Sequence, residues 1–568
     1  MIRVPPSDEI DRIGKLPRRR WTDQELEKMA GELTKRFRAP GGTRRLWATQ
    51  ARVLAEAYQC SGAYAAIPVG GGKTDISFLL PSVLGAKRPL LLVPATLKSK
   101  TYVNFAELRK HYVAPRSYPV ISLEMVQHPN SRQLLNQFRP DLIVVDESQN
   151  IASHKSARTR RIIEYINNNP DTRFVALSGS PLRLSVMDYW HLVRVALRDK
   201  APLPKSRSEM ERWAEALDVE VAERRRPGAL GEMLNVPSEA PLKDLREAFS
   251  ARMSDSWGFV SVAKSSCDMP IKLTLDGSMT VPDNILNAVK QIRETGETIN
   301  RDLLDSGALV QRHIRELANG FFYFWDPKPP EEWLRARRAW NKFVRDQTEE
   351  WAGPKDLESD EEDNDEFVAD SPKLVAEANP HHPLLKAWVA IKDVYDPLKN
   401  RTERWLSEYA VEHCIAKVGS EPTIVWVDQV EFGRRLAARS GWRYFGGGKP
   451  ASAALTALSG SPEAGTYTVI LSLQAHHRGH NLQAWNRLYY TTVPASVTKW
   501  EQSIGRVHRS GQERAVSIYV FAPLPEMRQS FNKALDRAKG IFQTTGQLQK
   551  LLDAKVRRVK KRKVLSNG

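Results

Sequence analysis

Short apolar runs alternate with longer helical stretches in two separate parts of the chain. In the first part, residues 41–200, the runs stand at 64–67, 90–93, 119–122, 142–145 and 174–177. After residue 420 a second set stands at 423–427, 442–445, 468–471, 488–491 and 516–521. Near-continuous apolar strands separated by helices are typical of parallel sheets that are covered on both faces. The pattern therefore predicts an α/β protein with two parallel-sheet lobes.

The remaining segments follow other patterns. The middle of the chain is mainly helical, and it contains an acidic run at 356–370 that is too poor in apolar groups to fold. We interpret this run as a solvated loop, with autoinhibitory mimicry of a phosphate chain as the alternative. The expected division is a basic arm at 1–40, a first lobe at 41–200, a helical insertion at 201–380, a second lobe at 381–530, and a helix with a basic tail at 531–568.

Length and composition limit the class of protein. A chain of 568 residues with 41% hydrophobic positions is long enough for about two to four domains, each with its own core. No apolar run approaches the roughly 20 residues of a membrane span, and residues 1–20 lack the apolar stretch of a signal peptide. The three cysteines lie far apart, which excludes a disulfide framework. We expect a cytoplasmic protein without a membrane partner.

Charge gives the first indication of a partner. The chain has 85 Lys and Arg against 67 Asp and Glu, a net charge of +18, and nine of the acids lie in the run at 356–370. The rest of the chain therefore carries 85 basic against 58 acidic residues, or +27. Such an excess attracts polyanions through counterion release, although it also serves solubility. Charge alone leaves both interpretations open.

A glycine-rich segment follows the first predicted strand. It contains Gly70, Gly71 and Gly72, then Lys73 and Thr74, and then a helix start. Glycines let backbone amides close around a phosphate, while the lysine reaches the terminal phosphates and the threonine hydroxyl binds Mg²⁺. The segment predicts a nucleotide site, with an ordinary turn before a helix as the alternative.

Two adjacent carboxylates end another apolar strand. Asp146 and Glu147 follow the run at 142–145 directly. At the carboxyl end of a buried strand, the first acid is placed to hold Mg²⁺ and the second to orient an attacking water. The alternative is a pair of acids that begins a solvated helix.

A basic segment at 499–512 supplies the third element. Its Gln502, Arg506 and Arg509 recur at spacings of four and three residues, which places them on one helix face. An arginine that reaches a γ-phosphate stabilises the charge of the transition state, and Arg509 is the candidate for this role. A basic helix facing solvent or nucleic acid is the alternative.

Taken in order, six segments resemble the motifs of superfamily 2 helicase-like ATPases, and the last two resemble those of the Swi/Snf-type branch. They are GGGKT, VPATLKSK, VDESQN, ALSGSP, ILSLQAHHRGHNLQ and EQSIGRVHRSGQ. The resemblance covers roughly residues 45–200 and 380–525 and is closest to compact phage or bacterial members. It implies two RecA-like lobes, with ATP and Mg²⁺ as cofactors.

The resemblance also implies roles for single residues. Gln50 would read adenine, and Lys73 and Thr74 would bind ATP and Mg²⁺. Asp146 would bind the metal, and Glu147 would position the attacking water. The motif that we call motif III, Ser178, Gly179 and Ser180, would couple hydrolysis to the nucleic-acid groove. The second lobe would complete the site with Gly479, Asn481, Gln502, Arg506 and Arg509.

Three departures from the family pattern stand in these motifs. Ile67 and Pro68 alter the lead-in to the glycines, Gln149 stands where His or Asp is common, and His480 replaces a customary Leu. None of them removes a phosphate or metal group. We therefore expect activity.

A two-lobed ATPase that grips a strand with both lobes moves along it with each cycle. The candidate grips are Thr96 and Lys98 in the first lobe and His477 and Arg478 in the second, with ordinary surface positions as the alternative. The hypothesis is an ATP-dependent DNA translocase or helicase, and the preference for duplex DNA over RNA comes from the resemblance. The alternatives are an RNA helicase and an ATP-gated clamp that does not move.

Two weaker signals remain. The aromatic run at 321–325 favours core packing over base stacking. The basic tail at 556–564 is interpreted as a phosphate-binding arm, with a nuclear address as the alternative.

Overall fold

The structure is a computed structural model that describes most of the chain. The residues outside its description are 1, 114, 116, 129–130, 155, 180–184, 219–220, 222, 266, 301–303, 305–306, 353–371, 373–374, 398, 495 and 561–568. The acidic run at 356–370, Ser180 of motif III and the end of the basic tail therefore lie outside the described residues.

The chain divides into two compact units. The first unit consists of Met1–Ser266, Glu349–Pro354 and Asp536–Gln549. The second unit consists of Cys267–Thr348, Lys355–Leu535 and Lys550–Gly568. The division after residue 266 falls inside the segment expected as an insertion.

A parallel sheet of six strands forms the centre of the first unit. Its strands are β1 Gly62–Ala66, β2 Pro89–Val93, β3 Val120–Ser122, β4 Leu142–Val145, β5 Arg173–Ser178 and β6 Phe259–Ser261. Their spatial order is β3-β2-β4-β5-β1-β6. The first five strands coincide with the predicted apolar runs, and nearly all of their residues are buried. The sixth comes from the segment predicted as helical and pairs with β1.

Helices make up most of the rest of the first unit. They are α1 Asp8–Lys15, α2 Asp23–Phe37, α3 Ala48–Cys60, α4 Lys73–Leu84, α5 Ala95–Leu108, α6 Leu123–Gln127, α7 Leu134–Phe138, α8 Ala157–Asn168, α9 Met187–Leu197, α10 Arg207–Leu217, α11 Gly228–Met233 and α12 Leu242–Ser254. Short 3-10 turns span Ser148–Ile151 and Arg198–Lys200. The strands are nearly continuous apolar runs because both of their faces are covered.

The segment expected as an N-terminal arm carries the helices α1 and α2. A capping box between Thr22 and Glu25 begins α2. Ile13 of α1 and Ala30 and Phe37 of α2 are buried, and Phe37 joins the apolar core of the first unit. These side chains recur at helical spacing, so each helix turns one apolar stripe inward.

A second parallel sheet, of seven strands, forms the centre of the second unit. Its strands are β7 Ile271–Gly277, β10 Ile424–Val427, β11 Arg443–Phe445, β12 Val469–Ser472, β13 Arg487–Tyr490, β14 Val516–Phe521 and β15 Lys555–Lys560. Their spatial order is β11-β12-β10-β13-β14-β7-β15. With two parallel sheets and many helices, the structure confirms the predicted α/β class and is consistent with two RecA-like lobes.

The outer strands β7 and β15 were not among the predicted runs. Part of the basic segment interpreted as an arm is strand β15, which pairs in parallel with β7. Val556 and Val559 of this strand are half-buried, while Lys555, Arg557 and Arg558 are exposed. An edge strand tolerates such basic residues because one of its sides faces no further strand.

The second unit holds the remaining elements. Its helices are α13 Asp283–Thr295, α14 Gly307–Ala318, α15 Glu331–Ala352, α16 Pro383–Ile391, α17 Tyr409–Val418, α18 Val430–Ser440, α19 Lys449–Ser459, α20 Leu473–His476, α21 Val497–Ile504, α22 Pro525–Thr545 and α23 Lys550–Asp553, with a 3-10 turn at Lys392–Val394. Residues 349–352 of α15 and residues 536–545 of α22 are assigned to the first unit.

The aromatic run at 321–325 forms a small sheet of its own. Strands β8 Phe321–Trp325 and β9 Arg401–Trp405 pair antiparallel. Phe321 and Phe322 are buried, which agrees with the preference for core packing. In the described part of the chain, we find no helix long and apolar enough to cross a membrane.

We predict that Gly62→Ala destabilises the first unit. A Cβ at Gly62 would lie 2.2 Å from the carbonyl oxygen of Ala196 and 2.9 Å from that of Phe174. Overpacking of this kind costs about 1–3 kcal/mol. The control is Gly31→Ala in α2, where a Cβ meets open space and should stabilise the helix by up to about 1 kcal/mol. The midpoint temperature of thermal unfolding should fall in Gly62→Ala and rise in Gly31→Ala. Equal shifts in the two variants would contradict the packing at Gly62.

Candidate functional site

One edge of the first sheet brings three of the predicted motifs together. Strands β4, β5 and β1 are neighbours in the sheet and run in parallel. The acid pair follows β4, motif III begins at the end of β5, and the glycine-rich loop follows β1. The carboxyl ends of parallel strands meet at one edge, where α/β proteins bind their ligands.

The glycine-rich loop leaves no room for side chains. Gly70 and Gly72 have φ angles of +86° and +77°. A Cβ at Gly71 would lie 2.5 Å from Cγ2 of Ile67, and one at Gly72 would lie 2.1 Å from Nε2 of Gln50. The loop leads directly into the twelve-residue helix α4. Amides at a helix N-terminus, on a backbone free of side chains, fit a phosphate group.

Lys73 is the first residue of α4 and lies inside the site. Its side chain is 8% exposed, and its Nζ donates to the carbonyl oxygen of Ile67 over 3.1 Å. A Cβ on Gly179 would stand 3.0 Å from this Nζ and 3.7 Å from Oε2 of Glu147. The ammonium and the carboxylate therefore flank the same glycine of motif III. At Ile67, the departure from the family pattern, it is the backbone oxygen that holds the lysine.

The Asp146 carboxyl is buried without a full counter-charge. Its pKa is raised to about 6, first because burial disfavours the charged form and second because the Glu147 carboxylate repels it, while Lys73 partly offsets both effects. A divalent cation would relieve this cost. The Thr74 hydroxyl and the Asp146 carboxylate are the oxygen donors that Mg²⁺ prefers, so the pair fits such an ion.

Glu147 is held by a chain of hydrogen bonds to motif III. Its backbone has the strained φ angle of +53°. The Gln149 amide donates to Oε2 of Glu147 over 2.7 Å, and the Ser178 hydroxyl donates to Oε1 of Gln149 over 2.8 Å. Gln149, the second departure from the family pattern, thus connects the acid to the end of β5.

Gln50 contacts the glycine-rich loop. It is 3% exposed, its Oε1 accepts from the Trp47 amide over 2.8 Å, and its Nε2 donates to the Gly72 carbonyl over 3.3 Å. The structure thus brings Gln50, Gly70–Gly72, Lys73, Asp146, Glu147, Ser178 and Gly179 to one edge of the first unit.

In the second unit, hydrogen bonds join the two predicted motifs to each other. Arg478 donates from Nε to Oε1 of Gln502 over 2.7 Å. Arg506 donates to the carbonyl oxygen of Gln502 over 3.1 Å and to that of His480 over 3.4 Å. The side chain of Gln502 is buried. The segment around 478–481 and the segment 502–509 therefore form one cluster. The prediction that Gln502, Arg506 and Arg509 share one helix face is wrong, because α21 ends at Ile504 and both arginines lie in the turns that follow it.

Arg509 lies beside Asn481 in the same cluster. Its Nη1 is 3.4 Å from Oδ1 of Asn481, and burial lowers the pKa of its guanidinium. Gly479 has a φ angle of +87°, which bends the chain between Arg478 and Asn481. A half-buried guanidinium is worth more to a phosphate than one in open water, because the local dielectric constant is lower.

The candidate grips differ in exposure. Thr96 is exposed and Lys98 half-buried near the start of α5, and Arg478 is half-buried. His477 lies inside the unit, with its Nδ1 2.8 Å from the Leu473 carbonyl oxygen, and burial holds the pKa of its ring well below the usual value. A buried neutral ring is a weaker phosphate contact than the neighbouring Arg478.

His480, the third departure from the family pattern, packs against α19. Its ring nitrogens lie 3.3 Å from Oγ1 of Thr456, 3.4 Å from Oγ of Ser452 and 3.3 Å from Nδ1 of His476. A leucine at this position could also pack against α19, but it could make none of these polar contacts. The histidine therefore acts within the fold of the second unit.

The structure adds one contact that no motif indicated. Gln547, near the end of the chain, donates from Nε2 to the carbonyl oxygen of Gly179 over 2.9 Å and is fully buried. It lies outside every segment that resembles a family motif, and a single glutamine after a helix carries no sequence signal.

Comparison with known proteins gives one partial match. The chain is 34% identical over 89 residues to "Uncharacterized ATP-dependent helicase YqhH" of Bacillus subtilis (strain 168), a match that covers 16% of this chain and 16% of that protein. No family model matches the chain. The similarity supports a helicase-like ATPase in general terms.

We predict that Asp146→Asn stabilises the protein in EDTA at pH 7.5. Because the folded-state pKa is raised, the charged Asp146 destabilises the fold above about pH 6, and this cost shrinks as the pH falls toward the unfolded-state pKa. The gain should be about 1–3 kcal/mol at pH 7.5 and clearly smaller at pH 5. Thermal unfolding measures both values, with the exposed Asp171→Asn as control. A gain that does not depend on pH would contradict the electrostatic cause.

Proposed function

We propose that the protein is an ATP-driven motor of the superfamily 2 helicase-like type, of the Swi/Snf branch, that moves on DNA. In this proposal the motor lobes correspond to residues 41–200 and 381–530. The observation that carries the proposal is the group around Gly179, where Lys73 and Glu147 flank one glycine of motif III. The partial similarity to a protein named as an ATP-dependent helicase supports it.

In the first unit, each group has a defined task under this proposal. The glycine-rich loop and Lys73 bind the phosphates, and Gln50 recognises the base. Thr74 and Asp146 hold Mg²⁺, which when bound supplies charge neutralisation at the phosphates. Glu147 orients the attacking water and accepts its hydrogen bond. Gln149 fixes the carboxylate and transmits its position to Ser178.

In the second unit, Arg509 is the proposed arginine finger, and Gln502, Arg506, Gly479 and Asn481 position it. An arginine at the γ-phosphate stabilises the charge that develops in the transition state, an effect worth about 10³–10⁵ in rate in the phosphoryl-transfer enzymes where it operates. The support is the hydrogen-bond network around Arg509. Arg506 donates to the carbonyl oxygens of Gln502 and His480, and Arg509 itself donates to the side chain of Asn481.

The proposed track is duplex DNA. The net charge of +18 attracts a phosphate backbone. Thr96 and Lys98 would grip it from the first unit and Arg478 from the second. Motif III would link the grip to hydrolysis, because Ser178 is bonded through Gln149 to the Glu147 carboxylate. Alternation between two grips, driven by ATP, would then move the protein along the strand.

We predict that Glu147→Gln abolishes ATP turnover but keeps ATP binding. The amide retains the shape of the side chain but cannot orient and polarise water as a carboxylate does. We expect the rate of hydrolysis to fall by at least about 10²-fold, while affinity for a fluorescent ATP analogue changes little. Glu164→Gln, at an exposed position on α8, is the matched surface variant and should keep the wild-type rate of turnover. Unchanged hydrolysis in Glu147→Gln would overturn the catalytic assignment.

We predict that duplex DNA stimulates ATP hydrolysis more than single-stranded RNA does. The measurement compares the rate without nucleic acid, with single-stranded DNA, with duplex DNA and with RNA, followed by triplex displacement on the best activator. Preference for RNA would indicate an RNA helicase. ATP-dependent retention on DNA without displacement of the third strand would indicate a clamp. Because phosphate contacts release counterions, the stimulation should weaken as salt rises.

A further inference from the structure

The segment that follows α22 makes specific contacts in the first unit. Gly546 has a φ angle of +72°, and a Cβ there would lie 3.1–3.3 Å from the hydroxyl oxygens of Ser250, Ser254 and Ser261. The amide of Leu548 donates to the carbonyl oxygen of Val262 over 3.2 Å. The chain therefore lies in a narrow slot lined with serines beside strand β6.

Inside this slot, Gln547 reaches motif III. Its amide donates to the Gly179 carbonyl, and Gly179 is the residue flanked by Lys73 and Glu147. A carboxylate in place of the amide could not donate this hydrogen bond. Gln547 is thus placed to fix the backbone of motif III next to the proposed reacting groups.

A second hold lies three residues later, in the second unit. The backbone amide of Lys550 donates to Oε2 of Glu501 over 2.6 Å, and its Nζ lies 3.1 Å from Nδ1 of His508. An ammonium can only donate, so Nδ1 accepts and Nε2 carries the proton that His508 gives to the Met269 carbonyl oxygen over 2.6 Å. His508 directly precedes Arg509, the proposed finger.

Only two residues separate these holds in the chain. One of them, Gln549, is fully buried, and its side-chain amide has no hydrogen-bond partner among the described residues. Leaving such a group unsatisfied costs about 1–3 kcal/mol. Buried polar groups without a partner are most often found where a segment serves function as well as stability.

We propose that residues 546–550, which we call the strap, position motif III through Gln547 and the turn that carries Arg509 through Lys550. Gln547 and Lys550 are then positioning residues. Because the backbone between them is short, a shift of one hold is transmitted to the other. The inference rests on the proposed function, since it assigns the strap to the ATPase cycle.

The kinetic test compares Gln547→Glu with the wild-type protein. Loss of one positioning hydrogen bond should lower kcat of DNA-stimulated ATP hydrolysis by about tenfold, while KM for ATP stays within about twofold. Lys550→Met should act in the same way, and Lys550→Arg, which keeps the cation, should restore most of the rate. The control is Lys539→Gln, an exposed position on α22. Wild-type rates in both Gln547→Glu and Lys550→Met would overturn the strap.

The double variant tests transmission between the holds. If the strap acts as one unit, Gln547→Glu combined with Lys550→Met should lower kcat little more than either change alone. Effects that multiply would show two independent contacts and would overturn the coupling.

Hydrogen exchange separates this proposal from the proposed function. In Gln547→Ala, the backbone amides of 173–179 and also those of 501–510 should exchange faster, by about tenfold. This measurement needs no turnover, so it tests the positioning role of the strap even if the wild-type protein hydrolyses no ATP. Faster exchange confined to 173–179 would overturn transmission to the second hold. Unchanged exchange in both segments would overturn the strap itself.

Discussion

Burial of like charges at one edge of the first sheet is the constraint on which the rest of the site depends. Asp146 and Glu147 are adjacent, half-buried carboxylates, and desolvation raises the pKa of Asp146. One ammonium, that of Lys73, compensates for them in part. Such a group destabilises the folded protein unless a cation joins it. The arrangement therefore lowers the stability of the fold and favours a cation at this edge.

The fold supports this arrangement through rigid neighbours. The strands that present the three motifs lie side by side, and their apolar residues pack the core beneath the site. Glu147 adopts a left-handed backbone conformation, and Gln149 and Asn150 hold its side chain and its carbonyl oxygen. A strained acid with several anchors keeps its direction when its surroundings change.

The departures from the family pattern become understandable as local solutions. Ile67 holds the lysine with its backbone oxygen, and its side chain lies against Gly71 of the loop. Gln149 has both a donor and an acceptor, so it can bond the acid and Ser178 at once. His480 replaces an apolar contact by hydrogen bonds to α19. Each of the three residues thus makes a defined contact with its neighbours, although its side chain differs from the one that the family pattern has.

The amino-acid sequence by itself determined the α/β class, the strands of both sheets that are continuous apolar runs, and the order of the motifs. These features are local, since a run of buried residues or a glycine-rich turn is written in consecutive positions. It missed β6 and β15, because an edge strand needs fewer apolar residues than a central one, and it missed β7, whose buried positions are interrupted by exposed and half-buried ones. It also missed the role of Gln547. Only the tertiary structure decided that this glutamine meets Gly179, 368 positions away in the chain, because such a contact depends on where the backbone returns and on no neighbouring residue.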